Sequence, residues 1–538
     1  MMEYPLLLRS MLDRAYKLFP KKEVVSRDYS GIYRYTYADY YRRVCRLANV
    51  LKELGVQRGD RVASLAWNNH RHLELYFAVP CYGAVLHTLN LRLFSDQLVY
   101  VINHAEDSVI FVDEDLIPLL EEIKGKINTV KHFVVMSNEE ELPDTSLGRV
   151  HSYEKLLAGA ADSFDFPDDL DEYSPAAMCY TTATTGDPKG VVYTHRGLYL
   201  HSMCVGLADT LGLSERDIVL PVVPMFHANA WGIPFACVWF GSKLVLPGAR
   251  PDIKVLCDLI VNEKVTLAAG VPTIWMGVLA AHRQQNYDFS SVRAFICGGS
   301  AAPKSLIEAF DKEVGAPILH AYGMTETTPV ALVSRPKSYM EDRPEDELYR
   351  VRAKQGLLVA GLEMKVVDDQ GREVAWDGKQ MGELWLKGPW IAKEYYKDPE
   401  RSKPAFAEGW LHTSDIVTVD EEGFVNISDR AKDLIKSGGE WISSLDLENT
   451  IMSHPAVQEA AVIAIPHEKW VERPLACVVL REEHKGKVAE EDIIEFLKDK
   501  VAKWWLPDRV VFIDEIPKTS VGKFNKKALR QQFAAGTL

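Results

Sequence analysis

Short β-branched apolar runs alternate along this chain with longer amphipathic stretches, the pattern of a parallel α/β architecture. Thr36 can cap a helix whose apolar residues Tyr40, Val44, Leu47, Ala48, Leu51 and Leu54 recur at three- and four-residue steps, and Gly55 can end it. RVASLA (61 to 66), SVIFVD (108 to 113), KLVLP (243 to 247), RAFICGG (293 to 299) and EMKVVD (363 to 368) read as strands. The pattern changes near residue 428, where DRAKDLIKSGGEWISS gathers charges and then two adjacent glycines, the make-up of a hinge. Beyond it, AAVIAIP (460 to 466), LACVVLR (475 to 481) and RVVFIDEIP (509 to 517) are strand-like. Ile493, Ile494, Phe496, Leu497, Val501 and Trp504 predict a helix over 491 to 505. The expected organisation is a large unit over 1–428, a hinge over 429–434 and a compact α+β module over 435–538.

One stretch mimics a membrane span: no Asp, Glu, Lys or Arg occurs from Ile218 to Ser242, enough residues to cross a bilayer. Pro221, Pro224, Gly232 and Pro234, with His227 and Asn229, would break a helix there and strand polar groups in lipid. The reading is therefore buried strand and loop lining a pocket. The N-terminal residues carry charges at Glu3, Arg9, Asp13, Arg14 and Lys17 and lack a secretory apolar block, so a cytoplasmic protein without a transmembrane segment is expected.

At 538 residues the chain exceeds what one core supports, which fits two or more domains. Its net charge of -14 argues against a nucleic-acid surface, while leaving room for a local basic patch around a phosphorylated ligand. The eight cysteines are scattered, with no C-x-x-C pair and no nearby histidine cluster, which suits a reducing compartment better than a disulfide or zinc framework.

TTATTGDPKG, residues 181 to 190, has the chemistry to cradle a polyphosphate: small residues admit backbone N–H groups, threonine hydroxyls add donors, and a lysine supplies charge. It is not the common nucleotide P-loop, because G-x-x-x-x-G-K-[ST] is absent. Taken alone, the same composition suits an ordinary surface turn. It is followed in order by PMFHANAW (224 to 231), GVPT (270 to 273), GGSAAP (298 to 303), AYGMTET (321 to 327), GELWLKGP (382 to 389), GWLHTSD (409 to 415), DRAKDLIKSGGEWISS (429 to 444) and PKTSVGKF (517 to 524). Together these nine stretches resemble the adenylate-forming acyl-CoA synthetase family across nearly the whole chain. PMFHANAW, IKSGGEWISS and KWWLPD bring the resemblance nearest to fatty-acyl-CoA synthetases. Two departures stand out: Ala183 and Ser414 occupy positions where the family usually has glycine.

The resemblance implies a large N-terminal adenylate-forming domain of parallel-sheet subdomains plus a small β-barrel-like part, with a small mobile α+β C-terminal domain. It implies a ligase that joins a medium- to long-chain fatty acid to CoA through an acyl-adenylate, using ATP, Mg2+ and CoA and releasing AMP and pyrophosphate. By the same carry-over, Thr181, Thr182, Thr184, Thr185, Gly186 and Lys189 hold the pyrophosphate portion, and Thr325 and Glu326 the α-phosphate, with Thr181 and Glu326 at the metal. Gly298, Gly299, His320, Ala321 and Tyr322 form the adenine slot, and Asp415 and Arg430 bind ribose hydroxyls. Lys523, His227, Glu326 and Lys436 are the catalytic candidates; Lys523 is the mobile lysine, and Lys432 is the hinge residue. Lys432, Lys436 and Trp441 are also expected on the nucleotide, while Gly438, Gly439 and Trp441 border the CoA path. Trp231 resembles a tunnel gate, with Ala228, Val271, Pro272 and Thr273 as walls.

A short-chain, methylthio-alkanoic or aromatic acid stays open as the substrate, as does transfer to a carrier-protein thiol, release of the adenylate itself, or a catalytically silent nucleotide-binding homologue. A homodimer built partly from the N-terminal arm is implied by the resemblance alone.

Overall fold

The computed structural model describes residues 1–138, 142–181, 187–430, 433–437, 440–518 and 524–538, with backbone only at 429–430, 436 and 440–441. Two large sheets dominate. The first runs, edge to edge, Val150–Ser152, His132–Met136, Asp107–Asp113, Arg61–Leu65, Val85–Thr88, Pro175–Tyr180, Gly190–Thr194, parallel except for the last, antiparallel pair. Asp107–Asp113 is buried at every residue, as a central strand covered on both faces must be. The second sheet has nine strands, in the order Leu357–Leu358, Val330–Val333, Ile318–Gly323, Ala294–Cys297, Leu267–Gly270, Ile218–Pro221, Lys243–Leu246, Glu23–Asp28, Gly31–Thr36. Its six central members, from Ile318–Gly323 to Glu23–Asp28, are parallel.

One continuous apolar cluster joins the two sheets through the helices Tyr37–Glu53, His70–Tyr82, His195–Val205 and Ile233–Phe240. The first of these starts where the sequence predicts. The Thr36 hydroxyl accepts the Asp39 N–H (3.3 Å) while the Asp39 carboxylate accepts the Thr36 N–H (3.0 Å), a reciprocal capping box, and Gly55 follows the helix at φ +76°.

A four-stranded antiparallel sheet, Glu363–Val367, Gly382–Lys387, Leu411–Val419, Val425–Arg430, stands where a barrel-like part was expected. After it comes a five-stranded sheet (Ile435–Ser437, Glu440–Ile442, Val457–His467, Val471–Leu480, Arg509–Phe512) with helices Ser444–Met452, Glu490–Leu497 and Lys526–Ala534 and its own apolar clusters.

Two expectations need correction. The helix anticipated over 491 to 505 ends at Leu497; Val501 still packs on the core, but Trp504 lies in a 3-10 turn and is half exposed. The chain must reverse there to enter the strand Arg509–Phe512, and the apolar spacing continues through the turn. The charge-free stretch 218–242 is not strand and loop alone: strand Ile218–Pro221 and the loop after it lead to a tight left-handed turn and then to the helix Ile233–Phe240, which Pro234 opens from its first turn, where a missing N–H costs nothing. Among the described residues no helix is long and apolar enough to cross a membrane. All eight cysteines are free and buried.

Candidate nucleotide and acyl site

Four neighbouring parallel strands of the second sheet deliver the predicted residues at their carboxyl ends, where open α/β sheets bind ligands. Ile218–Pro221 leads to His227 and Trp231, Leu267–Gly270 to Val271, Pro272 and Thr273, and Ala294–Cys297 to Gly298 and Gly299; Ile318–Gly323 carries His320, Ala321 and Tyr322. The phosphate loop comes from the first sheet, between the antiparallel strands Pro175–Tyr180 and Gly190–Thr194.

The neck of that loop is closed by two bonds: the Thr181 N–H donates to the Lys189 carbonyl (2.9 Å) and the Lys189 N–H to the Thr181 hydroxyl (3.2 Å). Thr182, Thr184, Thr185 and Gly186, with Ala183, lie outside the described residues. Lys189 Nζ donates to the Tyr395 hydroxyl (2.8 Å), and that hydroxyl donates to Glu326 Oε1 (2.8 Å), leaving Nζ and Oε1 4.0 Å apart. Burial holds the Tyr395 phenol well above its usual pKa, so it remains a donor. Glu326 is buried in a 3-10 turn, Thr325–Thr327, fixed by the Ala392 N–H on the Glu326 carbonyl (2.8 Å) and the Tyr193 hydroxyl on the Thr325 carbonyl (2.9 Å). A carboxylate here and a hydroxyl at Thr181 are oxygen donors of the kind magnesium takes.

The Tyr322 hydroxyl donates to Asp415 Oδ2 (2.5 Å), tying the expected adenine slot to the residue expected at the ribose. Asp415 is aimed by a bulge. Between the pairs Glu383–Ile416 and Trp385–His412 the strand Leu411–Val419 has two extra residues, and Ser414 takes a left-handed φ of +60° within them. Arg430 pairs with Asp415 across the neighbouring strand.

Gly298 and Gly299 are small for a reason. A β-carbon at Gly298 would lie 2.8 Å from the Ala321 carbonyl oxygen and 3.1 Å from the Trp231 indole; Gly299 sits at φ +80°, with Val271 3.3 Å from its β-carbon position. Trp231 therefore lies against the slot, and Val271 lines it at the foot of the helix Pro272–Gln285. His320 supports the slot from behind: its Nδ1–H donates to the carbonyls of Lys354 (2.9 Å) and Ala353 (3.1 Å). Burial lowers its pKa and keeps it neutral.

His227 is half buried, its N–H on the Pro224 carbonyl (3.0 Å), and it opens the left-handed turn Ala228–Trp231. Four non-glycine residues in a row, Ala228, Asn229, Ala230 and Trp231, have φ between 43° and 60°, and Gly232 follows at 70°. Asn229 anchors the turn through a hydrogen bond from the Cys179 thiol (2.9 Å), on the strand that leads into the phosphate loop. Lys436 and Trp441 face each other in the hairpin Ile435–Ser437 and Glu440–Ile442; their side chains, and Lys432, Gly438, Gly439 and Lys523, lie outside the described residues. Tyr395, hydrogen-bonded to both Lys189 and Glu326, is a neighbour of the candidate site that sequence reasoning missed; its position in KEYYKD has no signal that separates it from Tyr396.

The sequence profile of the AMP-binding enzyme family matches residues 12–396, and that of the AMP-binding enzyme C-terminal domain matches 446–523. A long-chain-fatty-acid–CoA ligase of Thermus thermophilus is 50% identical over 99% of this chain and 96% of its own length. A medium-chain-fatty-acid–CoA ligase of Ectopseudomonas oleovorans is 41% identical over 99% and 97%. The crystal structure of the anthranilate CoA ligase AuaEII in complex with anthranoyl-AMP superposes with a TM-score of 0.88 at 26% identity, covering 99% of both chains. The chain belongs to the AMP-binding enzyme family, as an acyl-CoA synthetase.

Proposed function

We propose that this protein is an ATP-dependent ligase joining a medium- to long-chain fatty acid to CoA. The observation that carries the reading is a phosphate-loop lysine from the first sheet joined through the Tyr395 hydroxyl to a buried glutamate, together with an aromatic slot at the carboxyl ends of adjacent strands of the second sheet, walled by Trp231 and Val271. In the first half-reaction the acid's carboxylate oxygen bonds to the α-phosphorus of ATP and the bond to pyrophosphate breaks. Charge placement and alignment suffice for this; no covalent nucleophile is needed. Lys189 and Thr181, with the loop threonines, hold the departing pyrophosphate. Tyr322 stacks on adenine and Asp415 accepts the ribose hydroxyls. Mg2+, held by Glu326 and Thr181, supplies neutralising charge when bound. Lys523 reaches the carboxylate and α-phosphate, and His227 stands near the carboxylate.

In the second half-reaction the CoA thiol attacks the acyl carbon, losing its proton as AMP departs. The C-terminal unit turns about Lys432 for this step, bringing Lys436 to Trp441 toward the site and giving pantetheine a path over Gly438 and Gly439. Ala228, Trp231, Val271, Pro272 and Thr273 line the acyl entrance, where each buried methylene contributes roughly 0.8 kcal/mol. The domain limits 1–428, 429–434 and 435–538 belong to this reading. The free, buried thiols support a reducing, cytoplasmic setting. A homodimer built partly from the N-terminal arm is part of the same proposal, and light scattering at working concentration tests it.

The deciding experiment measures pyrophosphate release with a panel of acids of graded chain length, with and without CoA. Turnover that requires CoA and rises with chain length supports the proposal. CoA-independent turnover, or a preference for short or aromatic acids, overturns it.

A further inference from the structure

The bulge that aims Asp415 is gripped by a side chain from the neighbouring strand. Between the pairs Glu383–Ile416 and Trp385–His412, residues Thr413, Ser414 and Asp415 lie opposite Leu384. Backbone groups that leave a ladder need partners elsewhere. Side chains supply them: Glu383 Oε1 accepts the Ser414 N–H (2.7 Å), and the Thr413 hydroxyl accepts the Asp415 N–H (3.1 Å) while donating to the Leu384 carbonyl (2.7 Å). Glu383 is itself fixed. Its Oε2 accepts Trp385 Nε1–H (2.9 Å), and the Trp385 ring stacks across the strands on His412, 3.7 Å between centroids and 18° between planes, with Lys365 Nζ 4.4 Å from the ring centroid. Ser414 stands at φ +60°, a conformation that a non-glycine residue keeps only where its surroundings enforce it. The carboxylate of Glu383, charged and anchored at both oxygens, is such a constraint.

We propose that Glu383 is a positioning residue for the ribose of ATP: its carboxylate holds the Ser414 backbone in the left-handed region and so fixes the direction of Asp415. This rests on the reading that Asp415 binds the ribose hydroxyls. Glu383→Ala releases the Ser414 N–H, and Asp415, one residue on, loses its fixed direction. The groups assigned to the phosphates stand on other elements and keep their places.

The test is calorimetric binding, in magnesium buffer, of ATP and of dideoxy-ATP, which lacks both ribose hydroxyls, beside thermal melting. Wild type is expected to bind ATP the more tightly. Glu383→Ala is expected to weaken ATP about fivefold and to leave dideoxy-ATP at its wild-type affinity, because that nucleotide offers Asp415 nothing to read. Glu383→Gln, which keeps an acceptor oxygen within reach of Ser414, retains most of the discrimination. Glu383→Asp, whose shorter arm withdraws the oxygens, loses it, and answers the question if the alanine variant does not fold. Equal weakening of both nucleotides in Glu383→Ala and Glu383→Asp, or unchanged binding of both, overturns the proposal; if Asp415→Ala has then lost the discrimination that wild type shows, the functional reading stands. A wild type that does not discriminate, or Asp415→Ala discriminating as well as wild type, overturns the ribose reading and the proposal with it.

Discussion

Ser414 holds a backbone conformation that glycine adopts freely and an L-residue adopts at a cost of about 1 kcal/mol. Its N–H donates to Glu383 Oε1 (2.7 Å), a bond that does not depend on the serine side chain. Ser414→Gly is therefore expected to stabilise the protein by about 0.5–1 kcal/mol, read as a raised denaturant midpoint with unchanged slope. A lowered midpoint would show that the serine hydroxyl contributes more than the backbone strain removes. The sequence already flagged this position by its departure from T-G-D, because a residue identity is visible where a dihedral angle is not. Tyr395 is the opposite case: its place beside the candidate site comes from two partners, 206 and 69 residues away in sequence, and nothing local marks it.

The element least expected from the sequence is the left-handed turn Ala228–Trp231. Prolines and a glycine in a charge-free run announced a break but could not say that four successive residues would cross into the left-handed region, since alanine and tryptophan have no preference for it. Such strain persists only where the surroundings enforce it, and Asn229, held by Cys179, together with Gly232, does so here. A β-carbon at Gly232 would lie 2.7 Å from the His201 ring, and the residue's φ of 70° is unfavourable for alanine. Gly232→Ala is expected to cost about 2 kcal/mol or more of stability and to raise the KM for the acid more than that for ATP. Equal KM changes for the two substrates would show that the turn does not shape the acyl entrance. By contrast, the helix Tyr37–Glu53 was readable from Thr36 to Gly55, because its cap and its stripe are both local features. The predicted helix over 491–505 ran past its end because hydrophobic spacing does not distinguish a helix from a turn that keeps packing on the same core.

Across the whole molecule, burial of titratable groups sets an acid limit. Desolvation pushes His72 and His195 down to about 4 and His201 down to about 3, from 6.5. Below pH 6.5 the unfolded chain takes up protons that these folded histidines refuse, so the fold loses stability as pH falls toward 4. Asp113, pushed up to about 7 by burial, acts with the opposite sign between about 4 and 7, because the folded chain keeps a proton the unfolded one has released. Three groups against one leave the net effect of these four destabilising as pH falls, on the order of 2–3 kcal/mol per pH unit near pH 5. Urea midpoints at pH 5 and pH 7 measure the effect, and an unchanged midpoint would contradict it. On the functional side, Lys523→Ala is expected to abolish adenylation and spare thioester formation from supplied acyl-adenylate; equal loss of both half-reactions would refute that role.

Eight free cysteines, every one enclosed by the fold, bear on an enzyme proposed to work beside a mobile sulfhydryl co-substrate. Mixed-disulfide capture of that co-substrate finds no accessible protein sulfur in the native state, so the catalyst is spared self-poisoning during air oxidation. Alkylating reagents would meet the same barrier, and the rate at which they modify the chain becomes a direct gauge of how often the interior opens.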